Sequence, residues 1–140
     1  MTIIKNIILF ISAFIFTSLV DIVWHVLLFG NTYKKGLEKI ANVTDGNMKL
    51  KALPGLLSQV LVVSSISFIV LYKNTNNDYL SAFLLGAACG TLAITVYGLV
   101  NYALIKNWGL DITILEVIWG PIIGGLSGLF IIFLKSKLLA

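Results

Sequence analysis

Residues 79–105 read YLSAFLLGAACGTLAITVYGLVNYALI, a stretch without a single charged side chain. An α-helix rises about 1.5 Å per residue, so a helix of this length exceeds the roughly 30 Å hydrocarbon core of a bilayer. Continuous apolar runs of this kind are typical of membrane-spanning helices. The stretch therefore predicts a transmembrane helix, and it places the chain in a membrane.

Three further apolar runs cover residues of about 7–29, 53–72 and 112–134. Charged residues make up only 11% of the chain, whereas soluble domains carry about 25%. The strands of a transmembrane barrel would alternate in hydrophobicity, which these runs do not. Short links at residues 73–78 and 106–111 make neighbouring helices antiparallel. We expect an all-α, polytopic membrane protein with a single transmembrane domain over residues 1–140, folded as an antiparallel four-helix bundle.

All ten basic residues are lysines, and the formal net charge is +4. They lie mostly at the ends of the apolar runs, where lysines anchor helices and contact anionic lipid. The expected partner is therefore the lipid bilayer and not nucleic acid. The polar connection of residues 30–51 predicts one short interfacial helix at about residues 34–40. The distribution of the lysines leaves the membrane orientation undetermined.

Three ionisable residues lie inside the predicted spans: Asp21, His25 and Glu116. Such residues are costly in a membrane and indicate a functional site. The loop side is defined here as the membrane face that carries residues 30–51 and 106–111. Helical rise places Asp21 about 12 Å, Gln59 about 9 Å and Glu116 about 6 Å below that face. Every span contributes to a predicted pocket in this half, formed by Asp21, Trp24, His25, Gln59, Tyr97, Asn101, Glu116 and Trp119.

The opposite half contains only apolar, small or hydroxyl side chains. Small residues at four-residue spacing let helix backbones approach closely. The third and fourth helices are therefore predicted to pack tightly there and to diverge around the polar residues, with homodimerisation through such a face as the alternative. Pro121 also removes the hydrogen bond that the Val117 carbonyl would accept. The glycines predicted to form the contact between the third and fourth helices are Gly86, Gly90, Gly120, Gly124 and Gly128.

Three stretches, LVDIVW at residues 19–24, YGLVNYA at 97–103 and LEVIWG at 115–120, resemble domain-of-unknown-function family 2177. Tyr33, Leu37 and Trp108 stand at the spacing of that family. The family has aspartate in place of Gly98 and of Glu116 and threonine in place of Val100, and His25 matches none of its motif residues. The resemblance implies a small four-helix protein that crosses the bacterial inner (cytoplasmic) membrane several times. It implies no activity.

The predicted pocket allows several functions. An intramembrane carboxylate beside tryptophan and tyrosine suits a small polar or cationic solute, or a lipid headgroup, which it binds by charge and cation–π contact. Intramembrane carboxylates also serve as proton relays in transporters. One alternative is a lipid-modifying membrane enzyme with Asp21 and Glu116 as acid and base. Another is a structural or assembly subunit in which these side chains only pair with each other. Neither a metal nor a cofactor is expected, because one histidine and one cysteine supply too few ligands.

Overall fold

Four long apolar helices form the body of the molecule. The structure is a computed structural model that describes residues 3–44, 47–49 and 51–139. They cover Ile3–Leu28, Ala52–Lys73, Tyr79–Leu104 and Leu110–Leu138, here called spans 1 to 4. Each is long and apolar enough to cross a membrane. The predicted all-α fold with four transmembrane helices is confirmed.

Spans 1 and 3 each contain a π-helical segment. The first π segment, Val23–Leu28, follows α1, and the second, Thr91–Thr95, joins α4 to α5. In the first, the Phe29 amide donates to the Trp24 carbonyl at 3.0 Å, a five-residue step. Such segments widen the helix and often occur at functional sites. The α-helices are α1 (Ile3–Ile22), α2 (Gly30–Leu37), α3 (Ala52–Lys73), α4 (Tyr79–Gly90), α5 (Val96–Leu104) and α6 (Leu110–Leu139).

Local hydrogen bonds reverse the chain between spans 2 and 3. Asn74 accepts a bond from the Asp78 amide at 2.9 Å, and the Asp78 carboxylate caps α4 by accepting from the Ser81 amide at 2.7 Å. Asn77 adopts a positive φ of 54°, which asparagine tolerates better than most residues. This compact turn makes the two spans antiparallel.

Helix α6 is the central helix of the bundle, and it packs against α1, α3, α4 and α5. Its closest neighbour is α4: a Cβ added at Gly86 would lie 2.2 Å from the Gly124 carbonyl oxygen, and one at Gly90 would lie 2.0 Å from that of Gly120. A Cβ at Gly128 would likewise meet the Ala82 carbonyl oxygen at 2.2 Å. The glycines therefore allow the backbones of α4 and α6 to touch within one chain.

The short helix in the polar connection lies earlier than the sequence predicted. It covers Gly30–Leu37 and not residues 34–40, because it starts directly after the first π segment and Phe29. It also folds back onto α6, since a Cβ at Gly36 would lie 2.6 Å from Ile112 Cγ1. Tyr33 is consequently buried. Two strands of two residues each follow, and β1 (Val43–Thr44) pairs antiparallel with β2 (Asn47–Met48).

Candidate functional site

An imidazole joins the two intramembrane carboxylates. His25 Nδ1 lies 3.2 Å from Asp21 Oδ1, and His25 Nε2 lies 3.5 Å from Glu116 Oε1. Nδ1 is also 3.0 Å from the Asp21 main-chain carbonyl. The protonated ring can donate from both nitrogens, whereas the neutral ring can donate from only one. His25 thus links span 1 to span 4.

Tyr33 adds a hydroxyl from outside the spans. Its Oη donates to Glu116 Oε1 at 2.8 Å, and its ring lies 4.6 Å from that of His25, centroid to centroid. Burial and the neighbouring Glu116 carboxylate raise the pKa of the Tyr33 hydroxyl. Tyr33 therefore remains a hydrogen-bond donor at any physiological pH.

Trp119 holds the other carboxylate. Its indole Nε1 donates to Asp21 Oδ1 at 2.8 Å, and its ring stacks on Trp24 with centroids 4.4 Å apart and planes inclined by 11°. Only 3% of Trp119 is exposed. We call Asp21, His25, Tyr33, Glu116 and Trp119 the carboxylate–imidazole cluster.

The backbone near Glu116 is held by span 3. Because Pro121 has no amide hydrogen, the Val117 carbonyl lacks its helical donor. The Thr95 hydroxyl, in the second π segment, supplies that donor at 3.2 Å and is also 3.4 Å from the Glu116 carbonyl. Gly98 leaves room for the acidic side chain, since a Cβ there would lie 2.8 Å from Glu116 Cβ.

A cavity of about 550 Å³ lies beside the cluster and is called the polar cavity here. All four spans and α2 contribute to its wall. Because its residues come from the end of span 1, the start of span 2, the end of span 3 and the start of span 4, it lies in the loop-side half. It is lined by Thr17, Asp21, His25, Tyr33, Leu37, Ser58, Gln59, Val62, Ala93, Ile94, Tyr97, Trp108, Ile112, Glu116 and Ile123.

Two of the residues that line this cavity have buried N–H groups without a hydrogen-bond partner among the described residues. They are Gln59 Nε2 and Trp108 Nε1. The two carboxylates also keep unused acceptors: all the side-chain contacts that described residues make to them fall on Asp21 Oδ1 and Glu116 Oε1. Both donors and acceptors are therefore available to a bound molecule.

The structure brings five of the eight predicted pocket residues to this cavity: Asp21, His25, Gln59, Tyr97 and Glu116. Trp24 and Trp119 stand behind Asp21 and not on the cavity wall. Asn101 also does not line the cavity, and its buried Nδ2 has no partner in the described part of the chain. Within that part, no group of three His, Cys, Asp or Glu side chains could hold a metal ion.

Tyr33 and Trp108 line the cavity but were not among the predicted pocket residues. Tyr33 and Leu37 are four residues apart in a polar segment, a spacing that places two apolar side chains on one helical face. That spacing was the available signal for a buried face of α2. Trp108 lies in the turn before α6, where its ring meets Tyr97 edge-on at 5.8 Å, and nothing in its local sequence indicates burial.

The helices and the cluster together define a multi-pass integral membrane protein with an ionisable site among its spans. The model of the family DUF2177, described as a predicted membrane protein, matches residues 6–133, and the chain belongs to this family. The predicted family membership is thereby confirmed. No curated protein and no solved structure matches the chain.

Proposed function

We propose that the protein binds a small polar or cationic molecule in the polar cavity, and that the bound group is an ammonium carried by a free solute or by a lipid headgroup. The single observation that carries the proposal is the position of two carboxylates, Asp21 and Glu116, in the wall of a cavity of about 550 Å³. Cavities of this size accommodate small-molecule ligands. The proposal places the protein in the inner (cytoplasmic) membrane of a bacterium.

The charge of the cluster favours a cation. With Asp21 and Glu116 ionised and His25 protonated, one negative charge remains in excess. In a medium of low dielectric constant this excess charge attracts a cation more strongly than it would in water. The unused oxygens Oδ2 and Oε2 can accept hydrogen bonds from an ammonium group, and such charge-assisted bonds are the stronger kind.

Aromatic rings contribute a second attraction. Tyr33, Tyr97 and Trp108 all line the cavity. The face of an aromatic ring attracts a cation, and this attraction is stronger when the cation has lost its surrounding water. The free N–H groups of Gln59 and Trp108 in turn suit a hydroxyl or ester oxygen on the same ligand. The site thus fits a molecule that carries an amine and a neighbouring oxygen.

Binding of ethanolamine tests the proposal, with ethylene glycol as the neutral molecule of nearly the same shape. We expect wild-type protein in phosphatidylglycerol nanodiscs to bind ethanolamine and not ethylene glycol. Asp21→Asn and Glu116→Gln should each weaken ethanolamine binding by about tenfold or more, because each removes a charge-assisted bond of about 1.5–3 kcal/mol. Equilibrium binding of radiolabelled ethanolamine measures the loss.

Glu38→Gln is the matched control, because Glu38 is an exposed acidic residue outside the cavity. It removes the same charge and should bind as wild type does. Equal binding of ethanolamine by wild type and by both cavity variants would overturn the proposal. Uptake of ethanolamine into proteoliposomes then distinguishes a transporter from a binding protein, and release of a modified lipid identifies the enzyme alternative.

A further inference from the structure

A second cavity adjoins the polar cavity on the loop side. It has a volume of about 530 Å³ and shares His25, Tyr33 and Leu37 with the polar cavity. Its outer wall includes Lys49 and Lys51, so we call it the lysine vestibule. His25, Tyr33 and Leu37 therefore lie where the two cavities meet.

The lysine vestibule has the chemistry of an anion site. Both Lys49 and Lys51 carry a positive charge, and Pro54 and Gly55 in its wall belong to the first turn of α3. That turn contains no acidic residue, but the two residues that line the vestibule offer no free amide, since Pro54 has no N–H and the Gly55 amide donates to the Lys51 carbonyl at 3.2 Å. The positive charge comes from the two lysines, with a contribution from the partial positive charge at the start of α3. The vestibule is therefore positive where the polar cavity is negative.

A third depression is apolar and faces the lipid. This apolar groove has a volume of about 600 Å³ and is lined by Phe14, Ser18, Ala52, Leu53, Leu56 and Gln59. It runs between α1 and α3 and shares Gln59 with the polar cavity. It also begins at Ala52, the residue that follows Lys51. The groove thus starts beside the positive site and follows the first two turns of α3 as far as Gln59.

We propose that the ligand is a phospholipid with an amine headgroup. Its ammonium group lies at Asp21 and Glu116, its phosphate at Lys49 and Lys51, and one acyl chain in the apolar groove. In such a headgroup only two carbon atoms separate the amine from the phosphate ester, which suits two adjoining sites of opposite charge. This inference rests on the proposed function, since it names the molecule that carries the ammonium group.

Binding of phosphatidylethanolamine tests the inference by native mass spectrometry of the purified full chain in detergent. Phosphatidylglycerol with the same acyl chains is the lipid without an amine. We expect phosphatidylethanolamine to bind about tenfold more tightly, as the charge-assisted bonds of one ammonium group allow. Equal binding of the two lipids would overturn the inference.

Two variants distinguish binding of the whole lipid from binding of its headgroup alone. Lys49→Gln combined with Lys51→Gln should weaken binding of phosphatidylethanolamine and of glycerophosphoethanolamine, which lacks acyl chains, and leave ethanolamine binding unchanged. Leu56→Trp, which fills the apolar groove, should weaken binding of the lipid alone. The matched controls are Lys34→Gln with Lys35→Gln on the exposed face of α2 and Leu61→Trp on the exposed face of α3.

The two proposals fail in different ways. If ethanolamine binds through Asp21 and Glu116 but the lysine variant keeps full binding of phosphatidylethanolamine, the proposed function stands and the lipid inference is wrong. If glycerophosphoethanolamine binds as tightly as the lipid and Leu56→Trp has no effect, the ligand is a soluble phosphate ester and the inference is again wrong. If ethanolamine and phosphatidylethanolamine both fail to bind, both proposals are wrong.

Discussion

Tyr33 and Glu116 lie far apart in the sequence, and a hydrogen bond of 2.8 Å joins them in the cluster. Glu116 is 7% exposed and Tyr33 is 5% exposed, so little of either side chain is open to solvent. The hydroxyl of Tyr33 must therefore stay protonated for the bond to persist. The raised pKa of Tyr33, caused by burial and by the Glu116 charge, has this effect.

We expect Tyr33→Phe to lower the free energy of unfolding by about 1–3 kcal/mol near neutral pH, because it leaves a buried acceptor short of a donor. This difference from wild type should shrink above pH 10. There the unfolded tyrosine loses its proton while the folded one keeps it, so the stabilisation falls by about 1.4 kcal/mol per pH unit. Unfolding in detergent at a series of pH values measures both effects.

Tyr72→Phe is the control for this prediction, because Tyr72 is 65% exposed. It should change the free energy of unfolding by less than about 0.5 kcal/mol. A Tyr33→Phe variant as stable as Tyr72→Phe at neutral pH would contradict the role assigned to the hydroxyl.

At the scale of the elements, the two π segments flank the polar cavity. The first carries His25, and the second carries Thr95, which donates to the carbonyl that Pro121 leaves free. In the other half of the bundle, α4 and α6 are joined through glycines with no side chain between the backbones. The backbones of α4 and α6 touch in the half where their glycines lie. The cavity occupies the other half, where the helices carry larger side chains.

Gly124→Ala tests the tight end of this pair. Its Cβ would lie 2.2 Å from the Gly86 carbonyl oxygen, so the backbones must separate. We expect a loss of about 1–3 kcal/mol in the free energy of unfolding, the usual cost of overpacking. Thermal or detergent-induced unfolding in micelles measures it.

Gly30→Ala provides the comparison, since its Cβ would meet nothing closer than the His25 carbonyl at 3.5 Å. The Gly30→Ala variant should therefore have the same free energy of unfolding as wild type. If the two alanine variants were equally stable, the glycine contact between α4 and α6 would not hold the bundle.

At the scale of the whole molecule, the bundle has a polar cavity in the loop-side half and a packed apolar core in the other. That core includes Leu9, Val63, Ile66 and Ile131, which are all at most 1% exposed. The Thr17 and Ser127 hydroxyls, 2.8 Å apart, pair with each other where this core meets the polar cavity, whose wall includes Thr17. Water is therefore expected to reach the cavity from the loop side only.

Cysteine labelling in a Cys89→Ala background tests this asymmetry. Ser58→Cys, at the polar cavity, should react with a cationic methanethiosulfonate reagent, because a thiol needs water to form the reactive thiolate. Ser67→Cys on the same helix should remain unmodified, since Ser67 is 7% exposed and lies within the packed half. The extent of labelling by mass spectrometry gives the result, and modification of Ser67→Cys would contradict the packed half.

The helices could be read from the sequence because their cause is local. A long apolar run must satisfy its backbone hydrogen bonds within itself in a bilayer, which leaves the helix as its structure. The expected depths of Asp21, Gln59 and Glu116 rest on helical rise alone. Regular α-helical spacing, however, did not predict the π segment at His25 or the one at Thr95, because both depend on packing between helices.

Asn101 and Tyr33 show where the sequence was insufficient. Asn101 lies at the depth of the other polar residues, yet the rotation of α5 leaves it off the cavity wall, and rotation is set by neighbouring side chains. Tyr33 belongs to a polar connection, and only the folding of α2 back onto α6 buries it against Glu116.

The sequence by itself determined the membrane location, the four spans and the half of the bundle that contains the ionisable residues, since all three depend on the order of apolar and polar residues along the chain. The tertiary structure alone decided that His25 joins Asp21 to Glu116, that Tyr33 and Trp119 hold those carboxylates, and that a cavity adjoins them. These contacts depend on how helices distant in sequence approach and rotate, which is a property of packing and not of any one segment.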